Sequence, residues 1–227
     1  MDRVLVAGAT GGTGRACLEV LRRTSLSARG LTRSPDRRRT VLRAGADEAV
    51  VGDLFDPADA ARAVDGCDAV VSAVGSSPRA VLTADEFVDG VGTRHLVDAA
   101  RSAGAEAFVM VSALGVGGDG GPLGRVFNAA IGPVQRAKAD GERALRESGL
   151  RYTILRPGVL LPAGRLGDDV QVAEAGTGLW GAVARRDVAR LAVAALATDR
   201  ATDRTFEVVS NPLLRDRALA VDWRLPE

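Results

Sequence analysis

Seven short runs of this chain are mostly uniformly apolar where a half-buried strand would alternate: RVLVAGA (3–9), LSARGLTR (26–33), EAVVGD (48–53), DAVVSAVG (68–75), EAFVMVSA (106–113), RYTILRPG (151–158) and RTFEVVSN (204–211). A strand that is apolar on both sides must be covered on both sides, which is the condition of a parallel sheet between layers of helix. The stretches between the runs predict helices over 13–23, 35–44, 57–64, 84–103, 130–148 and 185–198. In the fourth of these, Val88, Val91, Leu96, Ala99 and Ala103 follow a three-to-four spacing that lays one apolar stripe on the sheet, with His95 at its border. Strand and helix in alternation is the sequence form of repeated βαβ units. The expected fold class is therefore α/β, a single doubly wound parallel sheet with helices on both faces. At 227 residues the chain is read as one domain, 1–227.

Two segments break the rhythm. The glycine-rich stretch around 114–133 and the long connection over 156–180 follow the fifth and sixth strands. Loops after the carboxyl ends of strands line the ligand crevice of such a sheet, so both are expected to be substrate loops. Asp168 and Asp169 fall in the second and are read as solvated. The closing LLRDRALAVDWRLPE is expected to form a last helix and strand.

Composition narrows the partner. Thirty basic and 29 acidic residues leave a net charge of +1, so no global field draws the chain to nucleic acid or an anionic membrane. One Tyr and two Trp leave little for a base-stacking surface. Cys17 and Cys67 are far apart and there is a single His, so no zinc-ligand set exists, and both thiols are read as reduced and interior. No signal leader opens the sequence and no apolar run reaches the ~18–20 residues of a membrane helix, so the expectation is a cytoplasmic protein with a small-molecule partner. It is expected to act as a monomer or homodimer, without metal.

Behind the first apolar run, VLVAGATGGTGRA (4–16) places four glycines in seven residues. Gly8, Gly11 and Gly14 form G-x-x-G-x-x-G between a strand and a helix, with Thr10, Gly12 and Thr13 between them. In that position the first glycine permits the turn, the second lets backbone N–H groups approach a pyrophosphate, and the third allows close helix–strand packing. A site selective for NAD sets a carboxylate at the end of the second strand to bind the ribose 2′-hydroxyl. Here that place reads LTRSPDRRR, with Arg33, Ser34 and Arg37. A guanidinium matches a 2′-phosphate that a carboxylate would repel, so the implied cofactor is NADP(H). The alternative is Asp36 turned inward to a ribose; Arg38, Arg39 and Arg43 are read as a solvated basic face. Farther on, Asp53 is placed to accept from an adenine amino group, or else to cap a helix, with Leu54 walling the ring. Ala73, Val74 and Gly75 are small enough for ribose and pyrophosphate to lie beside them.

In order along the chain, VLVAGATGGTGR, LTRSP, GDLFD, VSAVGS, FVMVSALG, ESGLRYTILRPG and RRDVARLAV resemble the atypical short-chain dehydrogenase/reductases. This NAD(P)H-binding Rossmann group includes NmrA-like regulators and the biliverdin reductase B/flavin reductase type. The resemblance covers nearly the whole chain. It implies a Rossmann fold, a catalytic serine at Ser112 and a lysine at Lys138, the latter holding the nicotinamide ribose. It also implies that Pro157, Gly158 and Val159 pass near the nicotinamide. The tyrosine that better-known relatives carry four residues before the lysine is Val134 here, and the only tyrosine, Tyr152, opens a strand. Carbonyl reduction needs a positioned acid for the developing alkoxide. Hydride transfer to a conjugated acceptor such as a flavin or quinone asks less, because the acceptor delocalises the charge. The expectation is an NADP(H)-dependent oxidoreductase of that kind. The alternative is a non-catalytic NADP(H)-binding redox sensor of the NmrA-like type, and nucleotide-sugar isomerase or dehydratase chemistry ranks third.

Overall fold

A computed structural model describes residues 1–76, 83–118, 121–162 and 170–227. Its elements are β1 (Arg3–Ala7), α1 (Gly12–Leu21), β2 (Ser27–Thr32), α2 (Arg38–Arg43), β3 (Glu48–Val51), α3 (Pro57–Val64), β4 (Ala69–Ser72), α4 (Val91–Ser102) and β5 (Ala107–Val111). They continue with α5 (Gly121–Glu147), β6 (Arg151–Pro157), β7 (Val159–Leu161), β8 (Gln171–Glu174), β9 (Ala182–Ala184), α6 (Arg185–Ala195) and β10 (Arg204–Val209). All seven apolar runs are strands, and they pair in parallel in the order β3-β2-β1-β4-β5-β6-β10. The chain winds outward from β1 to β3 and then returns to lay β4 on the other side of β1. That reversal opens a crevice at the carboxyl ends of β1 and β4, where sheets of this kind take their ligands.

Each strand divides its side chains between two cores. Val4 and Val6 of β1 pack on one face with Cys17 and Leu18 of α1 and Val188 and Ala192 of α6. Leu5 and Ala7 pack on the other with Val64 of α3, Leu96 of α4 and Leu145 of α5. This is why the strands read as continuous apolar runs. Cys17 and Cys67 are free and buried as expected, and burial pushes the Cys17 thiol up to about 12 and raises Cys67 as well. Among the charged exceptions is Arg29 of β2, buried but paired with Glu48 at 2.8 Å and donating to the Ala63 carbonyl at 3.1 Å and the Asp65 carbonyl at 2.5 Å. Among the described residues, no helix is long and apolar enough to cross a membrane.

Four expectations are corrected. The fourth helix starts at Val91 rather than 84. The fifth starts at Gly121 and carries Pro133 in its interior, so most of the 114–133 stretch is helix, and Val116–Gly118 form a single short turn. Glycine and an internal proline disfavour helix locally, which is why the stretch reads as a loop from sequence. The 156–180 connection contains β7, which pairs with β9, and β8, which adds an antiparallel edge to β10; Asp168 and Asp169 lie outside the described residues. The closing segment forms a short turn over Pro212–Arg217 and then an extended strap with neither helix nor strand. Val221, Trp223 and Leu225 alternate inward along the strap, and Trp223 meets the edge of Phe206 with ring centroids 5.4 Å apart. The Leu219 N–H donates to the Val172 carbonyl at 2.7 Å, but no further ladder forms.

Candidate functional site

The glycine turn joins β1 to α1. Gly8 has φ +76°, and a Cβ there would sit 2.5 Å from the Ala73 carbonyl oxygen, so both the turn and the approach of β4 require glycine. The Gly11 N–H donates to the Gly8 carbonyl at 2.9 Å and closes the turn. Gly14 packs directly on the Gly8 carbonyl, which fixes α1 against β1. Gly11 caps α1 without a side chain, and no acidic residue stands in the first turn. The helix therefore presents its free N–H groups and positive end with no built-in counterion, the condition for holding an anion.

In front of this turn lies a cleft of about 450 Å³. It brings together ten of the residues expected to bind a cofactor: Gly8, Thr10, Gly11, Arg33, Ser34, Arg37, Leu54, Ala73, Val74 and Gly75. Leu31, Thr32, Gly52 and Val88 complete the wall; the sequence reading did not single them out, because none carries a charge or a motif glycine that points to a cofactor contact. Arg33 and Arg37 are the only charged residues on the described wall, and no carboxylate is there. Asp36 is exposed in the short turn over Pro35–Arg37 and is not on the wall. Its size and donors suit a dinucleotide: a glycine turn for the pyrophosphate, two guanidinium groups at one end, and apolar side chains for the adenine. The fit follows from how β1, β2 and β3 end, because their carboxyl-end loops carry these residues side by side.

Nine expected residues lie elsewhere. Gly12, Thr13 and Gly14 belong to the first turn of α1, beneath and beside the cleft. Asp53 accepts from the Phe55 N–H at 3.2 Å, and Asp56 is the residue that caps α3. Ser112, Lys138, Pro157, Gly158 and Val159 stand beyond β4, at the ends of β5 and β6 and on α5.

The structure ties both expected catalytic side chains to partners that the sequence reading did not single out. Ser112 Oγ donates to Glu142 Oε1 at 2.6 Å, and Glu142 is fully buried. Arg156 grips both oxygens of that carboxylate, Nε to Oε1 at 3.0 Å and Nη2 to Oε2 at 2.7 Å, and Arg146 adds a contact at 2.7 Å. Burial alone would raise the Glu142 carboxyl, but Arg156, helped by Ser112 and Arg146, outweighs it and holds the group below its ordinary 4.5. Lys138 Nζ pairs with the buried Asp89 at 2.6 Å. The other Asp89 oxygen accepts from the Ser76 N–H at 2.8 Å and from Ser76 Oγ at 2.5 Å, which binds the loop after β4 to α5. Val134, Lys138 and Glu142 recur every four residues on α5, so Glu142 was discoverable from Lys138 by helical spacing; Asp89, 49 positions away, was not.

Val134 is buried, and its side chain has no proton to transfer. His95 Nδ1 donates to the Leu54 carbonyl at 2.8 Å and packs α4 behind the cleft, as its border position suggested. Tyr152 packs against the core. Beyond β6, Val159 and Trp180 are 53% and 54% exposed, and the Val159 N–H donates to the carbonyl of Gly181, the residue after Trp180, at 3.0 Å.

The sequence profile of a family described as NAD(P)H-binding matches residues 8–199. An uncharacterized chloroplastic protein of Arabidopsis thaliana is 33% identical over 217 residues, covering 92% of this chain and 76% of its own; the expected cytoplasmic location gains no support from it. Sanguinarine reductase of Eschscholzia californica is 28% identical, covering 92% and 89%. Among solved structures, a Bacillus halodurans protein assigned to the NAD-dependent epimerase/dehydratases superposes with a TM-score of 0.79 at 28% identity, covering 93% of this chain and 95% of its own. ChuY of Escherichia coli O157:H7, an anaerobillin reductase, gives a TM-score of 0.75 at 25% identity, covering 93% and 98%.

Proposed function

The chain belongs to the NAD(P)H-binding family, and from that premise we propose that it is an oxidoreductase that takes NADP(H) and reduces a flat conjugated acceptor such as a flavin or quinone. The observation that carries the proposal is the pairing of a cleft whose described charges are Arg33 and Arg37 with a reaction end whose polar side chains are already engaged. NADP(H), when bound, supplies the hydride. The two arginines suit a 2′-phosphate, and a carboxylate to bind a ribose 2′-hydroxyl is missing from the described wall.

At the other end, the Ser112 proton is committed to Glu142, Lys138 is held by Asp89, and Val134 has no proton to give. An acceptor whose own ring system spreads the incoming charge needs no dedicated acid. Val159 and Trp180 offer an exposed apolar and aromatic surface beside the end of β6, suited to stacking a planar ring. Two similar proteins named as reductases support this direction. Sugar epimerisation, suggested by another neighbour's assignment, would want a proton carrier where Val134 stands.

The test is stopped-flow absorbance of NADPH with purified protein and a panel of flavins, quinones, tetrapyrroles and simple ketones. Saturable oxidation by one planar acceptor, with no reaction on ketones, is expected. Turnover of a simple ketone would overturn the acceptor class. Tight NADPH binding with no oxidation by any acceptor would turn the reading to a redox-sensing binding protein, which the same engaged side chains also suit.

A further inference from the structure

Arg185 opens α6, yet its side chain reaches the other end of the chain. A Cβ placed on Gly12 would lie 2.6 Å from Arg185 Cδ and 2.9 Å from Nε, so the arginine stem rests on the first residue of α1 and its guanidinium lies over the helix start. Packing fixes this position: Val183 and Ala184 just before it are buried, and Val188 and Ala189 just after it share a core with Cys17 and Leu18 of α1. The position is electrostatically unfavourable as it stands. A cation sits against the positive end of a helix that has no acidic residue in its first turn. Arg185 is partly buried, and among the described residues its side chain makes no hydrogen bond and no ion pair; neighbouring Arg186, not Arg185, takes Asp187, at 3.6 Å. An arginine held there without a counterion is completed by an anion shared with the N–H groups of the turn.

We propose that Arg185 is a ligand of the cofactor's pyrophosphate, closing over it from α6 while the glycine turn holds it from α1. The proposal rests on the dinucleotide reading and adds a residue 171 positions after Gly14 that no local motif reveals. It also gives Gly12 a reason of its own: any side chain there would displace the arginine.

The test compares wild type, Arg185→Met, Arg185→Lys and Gly12→Ala by calorimetric titration with NADPH and with adenosine 2′-phosphate, which lacks the pyrophosphate. Methionine keeps the stem on Gly12 and removes the charge. NADPH should bind about 10- to 100-fold more weakly to Arg185→Met, the range of a lost charge-assisted contact, with a smaller loss for lysine and no change for adenosine 2′-phosphate. Gly12→Ala should give the same selective loss and cost little more when combined with Arg185→Met. Because alanine at the first helical position favours the helix, that variant carries the test if Arg185→Met does not fold. Unchanged NADPH binding overturns the proposal, as does an equal loss on both ligands, which would assign Arg185 a purely structural part. If wild type itself fails to bind NADPH, the dinucleotide reading falls first.

Discussion

At the scale of single residues, the proposed choice of NADP(H) turns on Arg33, and the proposed acceptor class on which protons are already engaged. Arg33 was legible because it stands at the end of the second strand, a place fixed by its distance from the glycine turn. Substituting Arg33→Asp should weaken NADPH about 10- to 100-fold and leave NADH within a few-fold, as titration of both would show. Equal losses would remove this account of cofactor choice. The reaction end was less legible, because Ser112, Glu142 and Arg156 meet only through the tertiary fold. Their pairing makes a pH prediction. The folded Glu142 carboxyl lies below 4.5, so its contribution is complete above that value and is lost as pH falls through the folded-state value. Replacing Glu142→Gln should cost about 3–5 kcal/mol at neutral pH, because Arg156 is left buried without its counterion. The acid limb of the stability curve should flatten in the same variant, measured by urea melts from pH 3 to 7.

At the scale of elements, α5 carries Lys138 and Glu142 and was only half read. Its apolar and charged positions recur every four residues from Val134 to Glu142, but the glycines and Pro133 before them read locally as a loop. What holds the helix in place is contact. At Gly141 a Cβ would come within 2.9 Å of the Asp89 carbonyl oxygen and 3.0 Å of Thr93 Cγ2, so α5 lies directly on the turn that leads into α4 and on its Thr93 side chain, where Lys138 meets Asp89. Gly141→Val should therefore push the helices apart, cost about 1–3 kcal/mol in thermal melts and slow acceptor reduction, while NADPH affinity stays near wild type. A loss of NADPH affinity as large as the loss of rate would mean that α5 supports the cleft as a whole. The pairing of β7 with β9 was invisible for a related reason: three-residue strands leave too short a pattern to read.

Over the whole molecule, the doubly wound parallel sheet was legible in uniformly apolar runs that alternate with helices, while the strand order and the crevice between β1 and β4 are given by the structure. The antiparallel edge strand and the terminal strap were not foreseen, because each is defined by partners distant in sequence. The strap alternates like a strand, and only the absence of a continuing ladder distinguishes it from one. One consequence concerns the two cysteines. Both are buried in the sheet's two cores with thiols raised above their ordinary value, so the native chain is expected to react only slowly with thiol-directed dyes. A single cysteine placed at exposed Val159 would then be the site a maleimide probe labels first. That turns the molecule into its own optical reporter of what arrives at the end of β6.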